Sequence, residues 1–279
     1  MSDSGGYRPV TGLGVLREKA RRVGAGRAAL VALLLALGVA AAAPAPALAS
    51  SSSLVVSQVY GGGGNSGAPY TNDFVEIFNR GTVTVSLAGM SVQYASATGT
   101  GNFSSNPVTA LSGSLAPGQY YLVQQAGGAN GAPLPVPDAV GTVNMSATGG
   151  KVILASTTSG LACNGSVGQP CSAAQVAQIV DLVGYDGANF FEGASAASTL
   201  SNTTAALRND SGCTDTDNNG ADFTAGPPAP RNAISPLHLC LGDQPPSIVS
   251  RSPAGGAEVE RSEERRVGKE CRSRWSPYH

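Results

Sequence analysis

The chain has 279 residues, with 17 basic and 18 acidic side chains, so its net charge is close to zero. This balance is an average over unlike parts, because residues 50–260 hold five basic against 13 acidic side chains. The five cations of this middle zone are scattered along it: Arg80, Lys151, Arg208, Arg231 and Arg251. Nucleic-acid binding requires clustered Lys and Arg that neutralise phosphates, so we expect no direct nucleic-acid binding by this zone.

An export signal is predicted over residues 1–49. Basic residues precede an apolar run, Ala28–Ala43, and the small residues Ala47 and Ala49 then complete an A-x-A cleavage pattern. The apolar run is shorter than the roughly 20 residues that a membrane-spanning helix needs. We therefore expect a secreted or cell-surface bacterial protein without membrane contact after cleavage; a retained N-terminal membrane anchor is the alternative.

The cysteines fit the oxidising environment that export implies. Four of them lie in the middle zone and allow three disulfide connectivities. We predict the pairs Cys163–Cys171 and Cys213–Cys240. A zinc site is the alternative for four cysteines, but neither spacing is the C-x2-C of structural zinc sites. The fifth, Cys271, has no partner.

The middle zone is predicted to consist of strands. It is rich in Gly, Ser, Thr and Val and poor in Lys, Glu and Leu, which favours strands and turns over helices. Short alternating runs between turn signals predict about eight strands. In chain order they are Leu54–Tyr60, Asp73–Asn79, TVSLAG, Met90–Ser96, Gln119–Gln125, Val143–Thr148, Lys151–Thr157 and Val176–Tyr185. Gly149-Gly150 predicts a hairpin between the sixth and seventh runs, and the whole pattern predicts one all-β sandwich.

Several blocks in order resemble the lamin tail domain of secreted bacterial proteins. They are VVSQVYGGGGNSGAPYTNDFVEIFNRG with SLAGMSV, then LAPGQYYLV, VDLVGYDGANFFEG, AALRNDSGCTDTDNNGADF and PPAPRNAISPLHLC. The resemblance places such a domain over residues 50–242 and implies an immunoglobulin-like β-sandwich that acts as a non-catalytic module. Met90 stands where the family usually has Trp, and a Met side chain can fill that core position.

Two further segments follow this domain. Residues 243–260 contain DQPPSIVSRSPAGGAEV, which resembles the first strand of a bacterial Ig-like domain, so we expect a truncated domain there. Residues 261–279, RSEERRVGKECRSRWSPYH, resemble the translation of a common short-read sequencing adapter, and we interpret them as an assembly artefact. The alternative is a basic functional tail. We expect both ends of the chain to be disordered.

Few side chains in the middle zone are suited to catalysis, and we predict no catalytic or cofactor-binding residue. His238 lies next to the C-terminal cysteine of the zone and is expected to pack there. The glycine-rich segment 61–67 lacks the Lys of a phosphate-binding loop and leads into a strand, so we interpret it as an inter-strand loop. Asp73 is interpreted as a turn residue at a strand entry, and Glu76 as a solvent-facing side chain.

One segment, DTDNNGADF, is similar to the first half of a calcium-binding loop. Asp215, Asp217 and Asn219 have the D-x-D-x-N spacing and Asp222 supplies a fourth oxygen ligand, while the closing Glu is missing. These four residues form the predicted calcium site, and apart from calcium we expect no cofactor. The alternative is a turn in which the Asx side chains bond their own backbone.

The leading functional hypothesis is a non-catalytic, secreted interaction or accessory module, truncated from a larger multidomain protein. Its partners would be an extracellular protein or polymer, or its own missing downstream domains. The first alternative is the N-terminal fragment of a secreted nuclease or phosphatase whose catalytic domain is missing. The second is a surface adhesin with Ig-like repeats.

Overall fold

The computed structural model describes residues 53–240, which form an all-β fold, as predicted. Two single-turn helices, α1 (Ala173–Val176) and α2 (Asn219–Asp222), and two 3-10 turns interrupt the strands. The strands are β1 (Leu54–Tyr60), β2 (Asn72–Asn79), β3 (Val85–Ser86), β4 (Ser91–Ser96), β5 (Thr109–Ala110), β6 (Ser114–Leu115), β7 (Tyr120–Gly127), β8 (Ala139–Val140), β9 (Gly150–Ala155), β10 (Ile179–Tyr185), β11 (Ala205–Arg208) and β12 (Phe223–Gly226).

The strands form two sheets that pack as a sandwich, together with a small ribbon of β3 and β6. The first sheet has the order β12-β11-β1-β2-β7-β8, and the second has the order β10-β9-β4-β5. Neighbouring strands are antiparallel except β7 and β8, which are parallel. The loop 61–67 joins β1 to β2, and a Cβ at Gly63 would lie 2.0 Å from the carbonyl carbon of Asn72, so this loop needs glycine.

The main core lies between the inner faces of the two sheets. Alternation along β2 sends Val75 and Ile77 into this core, where they meet residues of the second sheet such as Val152 and Leu154. Met90, the departure from the family pattern, packs against the same core. Burial of each large apolar side chain contributes about 1.5–3 kcal/mol, so this interface accounts for much of the folding free energy.

The outer face of the first sheet is also covered. Phe78 and Tyr120 stack with ring centroids 4.7 Å apart and pack with the disulfide of Cys213 and Cys240. A second small apolar cluster forms on the same face near the other end of the strands, from Tyr60, Phe74, Leu122 and Ala205. The segment 227–240 is bonded to this face, which therefore differs from the solvent-exposed face of a simple two-layer sandwich.

Burial of two acidic side chains corrects two interpretations from the sequence. Glu76 is 0% exposed and Asp73 is 2% exposed, so neither is a solvent-facing or simple turn residue. Alternation correctly predicted that Glu76 lies on the face of β2 that does not carry Val75 and Ile77. It cannot show that a segment distant in sequence covers that face. Asp73 accepts hydrogen bonds from the backbone N–H groups of Gly63 and Met145, which joins two loops to β2.

The predicted hairpin between Val143–Thr148 and Lys151–Thr157 is wrong. Residues 143–148 form no strand, and β9 pairs with β4 and β10 instead. The backbone of this segment bonds to side chains: Val143 N–H donates to Gln125 Oε1 at 3.1 Å. Side-chain acceptors therefore replace the partner strand that a hairpin would have supplied.

Both predicted disulfides are confirmed, Cys163–Cys171 and Cys213–Cys240. All four thiols are thus bonded, and the zinc alternative is excluded for them. No helix between residues 53 and 240 is long and apolar enough to cross a membrane. The predicted export signal (1–49), the truncated Ig-like segment (243–260), the adapter-like tail (261–279) and the disorder expected at both ends lie outside the described residues.

The two disulfides should differ in their contribution to stability. They span 8 and 27 residues of sequence, which correspond to about 2.5 and about 3.5 kcal/mol in the chain-entropy treatment. We expect Cys213→Ser with Cys240→Ser to lower the urea midpoint more than Cys163→Ser with Cys171→Ser, as followed by circular dichroism. Equal midpoints in the two double variants would contradict this order.

Candidate functional site

A buried cluster of charges surrounds Arg208 at the end of β11. This residue is 2% exposed, and its NH2 group donates to both carboxylate oxygens of Asp181 at 3.1 and 2.8 Å. Its Nε donates to the carbonyl oxygen of Val56 at 2.9 Å, and NH1 donates to Asp215 at 3.0 Å. The guanidinium also lies 4.5 Å from the ring centroid of Phe223. One side chain thereby contacts β10, β1, the loop after β11 and β12.

Glu192 is the carboxyl group of this cluster that holds a proton. One oxygen each of Asp181, Glu192 and Asp215 lie within 4.8 Å of one another. Burial, together with the neighbouring charge of Asp181 and against the opposing effect of Arg208, raises the pKa of Glu192 to about 9. Glu192 is therefore neutral near pH 7, whereas Asp181 and Asp215 form the hydrogen-bonded ion pairs with Arg208.

Asn219, one of the predicted calcium ligands, closes the free edge of β10. Its Oδ1 accepts from the backbone N–H of Gly184 at 2.8 Å, and its Nδ2 donates to the carbonyl oxygen of Leu182 at 2.9 Å. These two bonds replace those that a neighbouring strand would make. Because exposed sheet edges promote aggregation, this side chain protects the second sheet where its strand order ends.

Two of the other three predicted calcium ligands face Arg208. Asp215 pairs with Arg208 and, at 3.4 Å, with Arg80. Asp222 lies 3.7 Å from Arg208 NH1 and also accepts hydrogen bonds from backbone N–H groups and a threonine hydroxyl of its own loop, whereas Asp217 is exposed. Asp215, Asn219 and Asp222 thus each bond protein groups in this structure. Calcium binding stays a prediction that a melting-temperature titration with calcium tests.

A second buried ion pair lies at the centre of the outer face of the first sheet. Glu76 accepts from Arg231 NH2 at 2.8 Å and Nε at 3.2 Å, and also from Ser57 and Gln58. Burial raises the pKa of Glu76, while the hydrogen bonds and charge of Arg231 lower it. The guanidinium lies 3.6 Å from the ring centroid of Tyr120 and donates to its hydroxyl at 2.6 Å. Arg231 is therefore fixed in position on three sides.

A cleft of about 630 Å³ opens beside Arg231. One wall is formed by β1, β11 and β12, and the other by the segment that follows β12. Its hydroxyl and amide groups come from Ser57, Gln58, Asn209, Ser211 and Thr224, and its less polar surface from Tyr70, Leu207, Ala229 and Pro230. No carboxylate lines the cleft within residues 53–240.

The family model of the Lamin Tail Domain matches residues 47–218. The chain belongs to the lamin tail domain family. No curated protein sequence matches the chain. A solved structure, the crystal structure of a DUF4876 family protein from Bacteroides thetaiotaomicron, is similar to it with 14% identity and a TM-score of 0.38, covering 71% of this chain and 75% of that one.

The cations of this lamin tail domain are all engaged by other groups. Lys151 is 0% exposed, its Nζ donates to Asn164 O at 2.9 Å and Asn189 Oδ1 at 2.8 Å, and burial lowers its pKa to about 8. The three arginines between residues 53 and 240 each pair with a carboxylate. The expected lack of direct nucleic-acid binding stays a prediction.

His238 has the structural surroundings that its sequence position indicated. Its side chain is 39% exposed, with Nε2 3.8 Å from Asp210, and its ring centroid is 6.4 Å from that of Phe78. Its side chain, Asp210 and the disulfide-bonded Cys213 have polar or sulfur atoms within 4.8 Å of one another, so His238 lies beside the disulfide.

Sequence reasoning did not identify the two ion-pair clusters. Their central residues are Arg208 and Arg231, with Glu76 and Glu192 as acidic members. The available signal was the scarcity of cations, because an isolated Arg in an acidic, Lys-poor domain is a candidate for internal pairing. The partners were not predictable, since Arg231 and Glu76 are 155 residues apart.

Glu192→Gln should reduce the dependence of stability on pH. The pKa of Glu192 rises from 4.5 to about 9 on folding, so the folded state binds more protons than the unfolded state between these pH values. The free energy of unfolding therefore falls as pH rises across this range, by up to about 1.4 kcal/mol per pH unit from this group. Gln is neutral throughout, so the variant should gain stability relative to the parent between pH 6 and 9 in urea titrations.

Asp186→Asn is the matched control, because Asp186 is exposed and is not among the charges that shift the pKa of Glu192. It should leave the pH profile of the parent unchanged. Profiles of Glu192→Gln and the parent that run parallel from pH 5 to pH 9 would show that Glu192 is not the protonated group.

Proposed function

We propose that this lamin tail domain is a non-catalytic, secreted interaction module that binds an extracellular polymer or protein partner. The observation that carries the proposal is the pairing of its charged side chains. Arg208 and Arg231, with their carboxylate partners, stabilise contacts between strands, loops and the C-terminal segment. Groups that catalysis would require are thus engaged in the fold, while a preformed cleft stays open at the surface.

Two features support the absence of catalysis. Paired-carboxylate hydrolysis needs one acid and one base that both contact substrate. Here Glu192 and Asp181 are 3% and 2% exposed, so a substrate cannot reach them without unfolding part of the domain. The family resemblance also implies a non-catalytic module.

Secretion is supported by the two disulfides together with the predicted signal over residues 1–49. Disulfides form and persist in oxidising compartments and are rare in the cytosol of most organisms. The domain would therefore act outside the cell, where polymers and surface proteins are the available partners.

A role within a longer protein is the finer proposal. Residues 243–260 resemble the start of an Ig-like domain, which supports an accessory function beside further domains. Sequencing genomic DNA past the codon for Glu260 tests this. A downstream block rich in His and Asp would favour a nuclease or phosphatase parent, and repeated Ig-like strands would favour an adhesin.

The chain itself should show no turnover. We expect no hydrolysis of single- or double-stranded DNA, RNA or a phosphomonoester by the full chain with magnesium, manganese or calcium. A secreted nuclease and a phosphatase assayed in parallel establish sensitivity. Turnover that copurifies with the chain and is removed by His238→Ala or Glu192→Gln would refute the non-catalytic function.

A further inference from the structure

We propose that the cleft beside Arg231 binds a neutral saccharide segment, an assignment that rests on the function proposed above and adds the class of ligand. Three properties of the cleft carry it: its charge balance, the unused donors of a fixed arginine, and the mixture of amide, hydroxyl and aromatic groups in its walls. The first property disfavours anionic ligands, and the other two fit a ligand that has both hydroxyl groups and an apolar face.

Charge balance excludes an anionic ligand. Two arginines line the cleft, but Arg231 is paired with the buried carboxylate of Glu76 at 2.8 Å. Arg208 is paired with Asp181 and Asp215, and its side chain is 0% exposed. The local field is therefore not positive, and a phosphate, sulfate or uronate would lose hydration without gaining an unpaired cation.

Arg231 supplies unused hydrogen-bond donors at a fixed position. A guanidinium has five N–H groups, of which Nε and NH2 donate to Glu76 and NH1 donates to Tyr120 Oη. Two N–H groups therefore have no partner between residues 53 and 240, and the side chain is 27% exposed at the cleft. Because Tyr120 and Glu76 hold the guanidinium in place, a ligand oxygen would bind without further ordering of this side chain.

The walls combine hydrogen-bonding and non-polar surfaces. Asn209, Ser211 and Thr224 lie at the rim, and Ser211 and Thr224 are exposed. Thr224 Oγ1 donates to Asn209 Oδ1 at 2.8 Å and Asn209 Nδ2 donates to Ala221 O at 2.9 Å, so these two side chains offer a ligand only their remaining donor and acceptor sites. Tyr70 lies in the same cleft, with its ring held edge-on against Phe74 at a centroid distance of 6.4 Å. A sugar ring has hydroxyl groups at its edge and an apolar C–H face, so it matches this combination.

The cleft exists before any ligand binds. Gln58 holds the outer wall through two bonds to Ala229, at 2.7 and 3.1 Å. The Cys213–Cys240 disulfide ties the end of the same C-terminal segment to the loop after β11. Its volume of about 630 Å³ lies within the usual range of small-ligand sites, so we infer that it holds a short oligosaccharide stretch of a longer polymer.

The test is affinity electrophoresis of the full chain in native gels. The gels contain a neutral polysaccharide (a β-glucan, an α-glucan, a mannan, a galactan or soluble chitin) or an anionic one (pectate or dextran sulfate). We expect retardation by at least one neutral polymer and none by the anionic polymers. The free oligosaccharide of the retarding polymer should compete.

Two variants place the binding in the cleft. Arg231→Lys keeps a cation beside Glu76 but removes the two unused donors, and we expect about a tenfold loss of affinity. Thr224→Trp fills the rim from the exposed edge strand β12 and should abolish retardation without touching either ion pair. Ala225→Trp is the matched control, because Ala225 is exposed and pairs with the core residue Ala206, on the opposite face of β12 from Thr224.

The outcomes separate this assignment from the proposed function. Retardation by anionic polymers alone, retardation by none of the polymers, or equal affinity in the parent and Thr224→Trp would each overturn the saccharide site. A chain that fails these tests but shows no turnover would still satisfy the non-catalytic proposal. Depolymerisation of the retarding polysaccharide would refute the proposed function instead. Circular dichroism of Thr224→Trp and Arg231→Lys confirms that each variant is folded.

Discussion

The two sheets of this lamin tail domain are joined at one edge by the buried guanidinium of Arg208. The strand β1 changes register between Val56 and Gln58, and the Val56 peptide groups bond to side chains: its N–H donates to Asp181 and its C=O accepts from Arg208. Buried backbone groups without partners are costly, so the irregularity in β1 and the ion pair depend on each other. Removing Arg208 alone would leave a buried, unpaired carboxylate, a change that typically costs about 3–5 kcal/mol.

The same requirement for pairing explains the covered outer face of the first sheet. Glu76 at the centre of β2 is fully buried, and a buried carboxylate is stable there because Arg231 and two β1 side chains bond to it. Arg231 comes from the segment after β12, which the Cys213–Cys240 disulfide retains. The first sheet therefore requires this C-terminal segment to pair its buried carboxylate. The cleft is the space that remains between the segment and β11.

The sequence was most informative where a local pattern determines the structure. Alternation predicted β1 with its observed bounds and β2 within one residue. Five strands were missed, because β5, β6 and β8 have two residues each and β11 and β12 have four, which is too short to show a clear period. Both disulfides join cysteines that are neighbours among the four, so chain order was sufficient. The ion pairs could not be predicted from the sequence. Arg208 lies on β11 of the first sheet and Asp181 on β10 of the second sheet, so the two side chains meet only after the sheets have packed together. Likewise, the calcium-like spacing of DTDNNG does not show that Asn219 turns inward to β10.

Stability and recognition share one physical basis in this domain. The part from residue 53 to 240 has ten acidic and four basic side chains, and those cations are engaged internally. The remaining acidic side chains include exposed carboxylates such as Asp186 and Asp217. Neutrality of the cleft is thus a consequence of the pairing that holds the sheets and the C-terminal segment together. For this reason a substitution of Arg231 changes both the stability of the domain and the hydrogen-bond donors that the cleft offers to a ligand. A substitution of Thr224, at the rim on β12, changes the cleft without removing an ion pair.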